Sequence, residues 1–246
     1  MRLFAYKMTH DSGFAPNPFW GYLTLATCKP KIREHKRPGD WIAGFTSKTL
    51  CGDWVGDERL VFLMQVEEKV ALADYFEDRR FESRIPRQPA AANVYRCGDN
   101  IYQPLVPNAR DAREFEQVPH SQHEPEEQEH DLQGRYALIA SRFAYFGVEA
   151  LRVPRELRPN VPTGQSGHGT ETRDRTRVQG FIDYVFGVAH APVIARPHQW
   201  PPGDASWKGL DTATPEHERP GPARDTGESQ RHALTRGRRP RPCSSR

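Results

Sequence analysis

Apolar side chains are spread so unevenly along this chain that only its first part can build a core. Residues 201–246 carry eight of them (AVILMFWYC) in 46 positions, whereas residues 1–200 carry 81. A segment so poor in apolar surface cannot offset the entropy lost on ordering its backbone. Composition therefore predicts a disordered tail over 201–246 behind a folded domain over 1–190. Charge divides the same way, with 26 basic and 26 acidic side chains in the first 200 residues and nine and six in the last 46. The formal +3 and the pI near 8.7 belong to the tail, so they imply no basic face on the folded part. At 246 residues, the chain has room for one domain with a full core, or at most two.

No apolar run approaches the ~20 residues a membrane helix needs, and Arg2 breaks the start where a leader would be apolar. A cytoplasmic protein with no membrane partner is expected. Cys28, Cys51, Cys97 and Cys243 are far apart and form no Cys-x-x-Cys pair, so neither a disulfide framework nor a zinc knuckle is indicated.

Alternation and β-branched or aromatic content predict strands at 3–8, 22–28, 41–45, 60–67 and 136–146, and a short edge strand within 100–106. Helical spacing of apolar residues predicts helices over 70–81 and 178–188. Six prolines between 84 and 134 predict loop, with a flexible acidic stretch at about 108–134. Many short strands and few helices give an α+β class, as a small curved mixed sheet or a barrel.

The loop at 9–20 carries Phe14, Phe19 and Trp20 among prolines, and loops seldom hold three rings without a pocket or core to receive them. Stacked on a base, such rings contribute roughly 1–3 kcal/mol each, with Asp11 and Asn17 as candidates to read the base edge. The plainer alternative is that the rings are core. Lys29, Lys31 and Arg33 alternate, and on an extended chain alternate residues point the same way, which makes them a candidate phosphate clamp. The alternative there is a solvated basic turn. For acid–base or nucleophilic chemistry the candidates are His10, Asp11 and Cys28, and adjacency at a strand end lets only one of His10 and Asp11 face a site. His120, His123 and His130 lie among carboxylates but lack an apolar support for ligands, so no metal site and no cofactor is expected. The run Gly164-Gln-Ser-Gly-His-Gly169 ends in neither Gly-Lys-Ser/Thr nor a nucleophile elbow and is assigned no chemistry. Arg231, Arg236, Arg238, Arg239, Arg241 and Arg246 make a basic end of the kind that attaches weakly to nucleic acid without sequence preference.

The stretch His10-Asp-Ser-Gly-Phe-Ala-Pro-Asn-Pro-Phe-Trp-Gly-Tyr22, followed by Thr24-Leu-Ala-Thr-Cys-Lys-Pro30, Gly39-Asp-Trp-Ile42, Gly98-Asp-Asn-Ile-Tyr102 and Tyr145-Phe-Gly147, resembles the nucleotide modification associated domain, type two, over roughly residues 1–150. That family occurs in bacteria and phages beside DNA-base modification systems. A weaker likeness, in the order of elements only, is to the PUA-like barrels, which bind bases in an aromatic pocket. The resemblance implies nucleic acid or a nucleotide as ligand, with other components of a DNA-modification system as partners. Three roles follow as expectations: a protein that recognises a modified base through the aromatic loop and basic turn, an enzyme that installs or alters a base modification, and a scaffold in a modification complex.

Overall fold

The structure is a computed structural model that describes residues 1–87, 92–119, 121–164 and 166–208. The tail expected from 201 falls, from residue 209 onward, outside the described residues.

Three strands whose every apolar position is buried form the centre: β1 (Leu3–Lys7), β3 (Trp41–Phe45) and β4 (Leu60–Gln65). Covered on both faces, they read as continuous apolar runs. β1 and β3 are parallel, and β4, β9 (Phe143–Tyr145) and β10 (Thr170–Thr172) add antiparallel, in the order β10-β1-β3-β4-β9. A second sheet of three antiparallel strands, β2 (Leu23–Leu25), β8 (Tyr136–Ala140) and β5 (Glu68–Ala71), has β8 in the middle. β6 (Tyr102–Pro104) and β7 (Phe115–Gln117) make a two-stranded ribbon.

The period-two alternation of strand side chains sorts the core into layers. Leu3 and Ala5 of β1 and Trp41, Ala43 and Phe45 of β3 meet Val178, Phe181, Ile182 and Val185 of α5 (Arg175–Val188), whereas α2 (Lys48–Cys51) and α4 (Gln128–Asp131) are single turns. From the opposite face Tyr6, Ile42, Phe62 and Met64 meet Leu23, Leu25, Leu138 and Ala140 of the second sheet. The far side of that sheet, through Ala137 and Ile139, packs on Leu72 and Tyr75 of α3 (Leu72–Glu77) and on Tyr102 and Phe115 of the ribbon. The fold is α+β with mixed sheets. Among the described residues the strands do not close into a barrel, so the curved sheet is the alternative realised.

One glycine links this packing to the site below. Gly44 lies opposite Phe62 and beside Tyr6, and a Cβ there would stand 2.2 Å from Phe62 Cε1 and 2.6 Å from Met8 Sδ. The Phe62 ring fills the vacant space and meets the Tyr6 ring edge-on at 6.0 Å. Gly44→Ala is expected to lower stability by about 1–3 kcal/mol, the usual cost of overpacking, as read in a urea titration.

Three local readings change. The segment expected as a helix over 70–81 begins as strand, because Lys69 and Val70 pair with Leu138 and Ala137, and the helix starts only at Leu72. A turn of 3-10 helix, Arg79–Arg84, then follows, capped by Asp78, whose carboxylate accepts from Arg80 N. The strand expected over 136–146 bends at Ser141 and Arg142, where it leaves the second sheet for the first. The basic segment expected as extended is α1 (Pro30–His35), with Lys29 in left-handed conformation ahead of a first-turn proline. At about 100° per residue, positions two apart on a helix diverge, and Lys31 is exposed while Arg33 is fully buried.

Packed chain also continues past residue 190. Pro192 O accepts from Tyr145 N at 2.7 Å and Ile194 N donates to Tyr145 O at 2.8 Å, so this segment runs along β9. Asp204 then accepts from Asn93 N and Ser206 N, both at 2.8 Å, which holds residues 201–208 against the body that composition placed before them.

Candidate functional site

The loop between β1 and β2 is organised by a buried cation that the sequence did not single out. Arg84 donates to Asn17 Oδ1 and Thr24 Oγ1, each at 2.7 Å, to Asn17 O at 3.2 Å, to Tyr22 O at 2.9 Å and to Phe19 O. Asp99 stands 3.9 Å from the guanidinium and accepts from Thr24 Oγ1 at 2.7 Å and from the Tyr75 hydroxyl at 3.0 Å. Burial pushes the Asp99 pKa up, and Arg84 and these donors pull against it. Asn17 also donates to Cys97 O at 3.1 Å. Its amide is thus engaged in fixing the loop, where a base-reading role would need it to face outward.

The expected stacking rings separate. Phe14 is core beneath the second sheet, edge-on to His123 at 5.6 Å. Phe19 is core between Trp20 and Trp200, 5.2 Å from the latter ring. Trp20 alone is half-buried, tilted against the exposed Tyr95 at 6.1 Å.

The phosphate clamp separates too. Arg33 donates to Cys28 O and Asp131 Oδ1, both at 2.7 Å, to Tyr136 O at 3.2 Å, and to Gly134 O and Asp131 O. With its side chain fully buried, its donors are engaged by protein and do not face a ligand. Asp131 further accepts from the Tyr102 hydroxyl at 2.9 Å and lies 3.5 Å from His123 Nε2. The stretch expected as a flexible acidic loop therefore contributes a buried carboxylate to the core. Among the described residues no three His, Cys, Asp or Glu groups are arranged to hold a metal ion, and His120 lies outside those residues.

What the loop does bring inward is Asp11. Its Oδ1 accepts from the Tyr145 hydroxyl, and its Oδ2 accepts from His198 N at 3.0 Å and lies 2.8 Å from His198 Nδ1. Asp11 N donates to Gln199 Oε1 and Gln199 N to Asp11 O, both at 2.9 Å, which locks the two segments together. A carboxylate oxygen accepts from this nitrogen, so a neutral ring in this position carries its proton on Nδ1 and its lone pair on Nε2. The Asp11 side chain is sealed while that of His198 is 12% exposed, so the imidazole is the end of the pair that reaches solvent. Burial and then Asp11 hold the Tyr145 pKa well above the ordinary tyrosine value, which keeps it a donor.

Beside this pair, burial raises the Tyr6 pKa, and the nearby Cys28 and Asp11 side chains raise it further. Cys28 and Lys29 are both left-handed, at φ 53° and 46°. Two consecutive non-glycine residues in that region cost about 1 kcal/mol or more each, so the surrounding structure must hold them there. The neighbouring Thr27 buries a hydroxyl with no protein partner. Lys29 Nζ lies 5.2 Å over the Tyr6 ring. Asp11, Cys28 and Lys29 are thus brought around Tyr6, while His10 stays exposed with Nδ1 3.3 Å from Thr9 Oγ1. Sequence reading missed Tyr6, Tyr145 and His198. The trace it offered for His198 is the run Arg196-Pro-His-Gln-Trp-Pro-Pro202, whose three prolines and tryptophan mark a rigid path with no repeating pattern.

The model of the family described as nucleotide modification associated domain 2 matches residues 1–203. The chain belongs to that family. No curated protein and no solved structure matches it. In this nucleotide modification associated domain 2 chain the matched region runs beyond the first 150 residues that carried the resemblance, and it takes in His198. Both halves of the Asp11–His198 pair therefore belong to the family's domain. Membership gives the function at a coarse level, an association with nucleotide modification. Among the described residues no helix is long and apolar enough to cross a membrane.

Proposed function

We propose that this protein performs a proton-transfer step on a nucleotide, within a system that modifies DNA bases. The reading rests on one observation: a sealed carboxylate, Asp11, holds the Nδ1 side of His198 at 2.8 Å and leaves Nε2 as the basic nitrogen of a ring that is itself partly exposed. That is the arrangement a general base needs, because the carboxylate fixes the tautomer and stabilises the imidazolium formed on taking a proton. Tyr145 holds the other carboxylate oxygen, so Asp11 cannot swing away from the ring. Cys28 stands as the nucleophile candidate on the strained turn next to Tyr6. The family's association with nucleotide modification supports a nucleotide substrate, and the acid–base pair supports the type of step.

A second reading, recognition of a modified base without turnover, retains support from the half-buried Trp20 beside the exposed Tyr95. Mass analysis of nucleosides separates the two. The full chain is incubated with deoxynucleoside monophosphates and with plain and modified DNA, and the products are digested to nucleosides. A nucleoside of new mass is expected. Tight binding of modified DNA with every nucleoside mass unchanged would transfer the function to recognition, and neither binding nor turnover would remove both readings.

A further inference from the structure

The glycine-rich run at 164–169, which is neither a phosphate loop nor a nucleophile elbow, ends against α1. A Cβ at Gly167 would lie 3.2 Å from Lys31 Cδ. One at Gly169, which is left-handed at φ +73°, would lie 3.2 Å from Phe4 Cβ. These two glycines let the backbone approach both α1 and β1, and the residue between them, His168, sets its ring 5.1 Å from that of His35, edge to face. Four residues apart on α1, Lys31 and His35 share one face, and His35 Nδ1 lies 2.8 Å from Lys31 O. Behind them Lys36 buries its stem and lays Nζ 3.4 Å over the Phe4 ring.

Lys31, His35 and His168 are all exposed, and among the described residues no ion pair joins any of them to a carboxylate. The acidic groups nearby have other partners: Asp40 pairs with Arg2 at 2.7 Å, Glu34 with Arg135, and Glu171 with Arg173 at 3.5 Å. Basic groups converging without a counter-charge repel one another, and an anion that accepts from all of them removes that repulsion.

We propose that Lys31, His35 and His168, backed by Lys36, form a binding site for a phosphate group. The proposal deepens the reading above, since it rests on a nucleotide being the ligand and adds where its phosphate is held. The two sites share a face of β1: Lys36 lies over Phe4 and Lys29 over Tyr6, and Phe4 and Tyr6 are alternate residues of that strand. A phosphate is a source-neutral chemistry here, carried by a free nucleotide or by the backbone of a nucleic acid.

The site carries a pH signature. Desolvation first, then His35, Lys31 and Lys36, lower the His168 pKa below 6.5. Lys36 itself faces Asp40, Arg2 and Glu171, and Glu34 faces Arg135 and Lys69. A bound phosphate favours protonated His168, so binding takes up a proton and tightens as pH falls.

The test is an equilibrium titration of the full chain at fixed salt with inorganic pyrophosphate, deoxynucleoside 5′-monophosphates, the same nucleosides without phosphate, and short single-stranded and duplex DNA. Phosphate-bearing ligands are expected to bind about fivefold tighter at about pH 5.5 than at about pH 8. Lys31→Gln and His168→Gln, both at exposed positions, are each expected to weaken binding about tenfold, and His168→Gln to flatten the pH dependence. Mononucleotides binding as tightly as DNA identify a free nucleotide as the source. Affinity that rises with strand length identifies the backbone. Equal affinity of the wild type and both variants, or no affinity for any phosphate-bearing ligand, overturns the site. Phosphate binding through these residues without turnover of any nucleotide keeps the site and removes only the acid–base reading.

Discussion

Arg84→Met is expected to lower folding stability by about 3–5 kcal/mol in a urea titration, the range seen when one partner of a buried charged network is removed. Arg84 and Asp99 both have fully buried side chains, and Arg84 is the donor for Asn17, Phe19, Tyr22 and Thr24. Methionine fills much of the same volume, so the loss comes from unpaired acceptors and an uncompensated carboxyl more than from a void. The exposed arginine four residues earlier gives the contrast. Arg80 pairs with Glu68 and Asp78 at 2.7 Å with 40% of its side chain exposed, and Arg80→Met is expected to change stability by under about 1 kcal/mol. The Arg84 variant should also acquire a pH dependence of known sign. Burial already raises the Asp99 pKa, and losing Arg84 raises it further. A carboxyl with a folded pKa above its unfolded value adds stability below the unfolded value and loses it as pH rises through the folded one. The deficit of the variant should therefore grow from acid toward neutral pH. A deficit that stays the same would mean that Asp99 remains charged without its cation.

The same arginine marks the limit of what sequence could show. Strands in the central sheet were legible because burial on both faces leaves an uninterrupted apolar run, as at Leu60–Gln65, and α5 was legible because its four core residues recur at helical spacing. Charges were misread wherever their destination depended on distant chain. Arg33 looks like its neighbours Lys29 and Lys31 until the carbonyls of Gly134 and Tyr136 and the carboxylate of Asp131, about a hundred residues away, surround it. Phe14 and Phe19 look like a loop's exposed rings until His123 and Trp200 pack on them. Asp11 and Cys28 are residue types that can carry chemistry and lie beside the first two strands, but a partner at position 198 leaves no spacing signal, since nothing periodic connects it to position 11. Local pattern reports periodic burial, and it is silent about polar groups paired across the fold.

That cross-fold pair carries the largest expected effect on activity. With the nucleotide substrate that the mass analysis identifies, His198→Gln is expected to lower the rate of the chemical step by about 10²–10⁴, the usual contribution of a general base. Asp11→Asn is expected to lower it by about 10³–10⁴ for a different reason. The asparagine amide keeps its oxygen toward His198 N and Nδ1, but it brings no negative charge to stabilise the imidazolium formed when the ring takes a proton. The two changes should not add, because the carboxylate acts only through the imidazole: the double variant should be about as slow as His198→Gln alone. Substrate affinity separates this from simple damage to the loop. Asp11 also receives Tyr145 and the backbone of His198, so a structural role would weaken binding and stability along with rate. A positioning role leaves substrate affinity and the urea midpoint of His198→Gln close to wild type while turnover falls. Additive losses in the double variant, or full activity in His198→Gln, would remove the pair from the reaction.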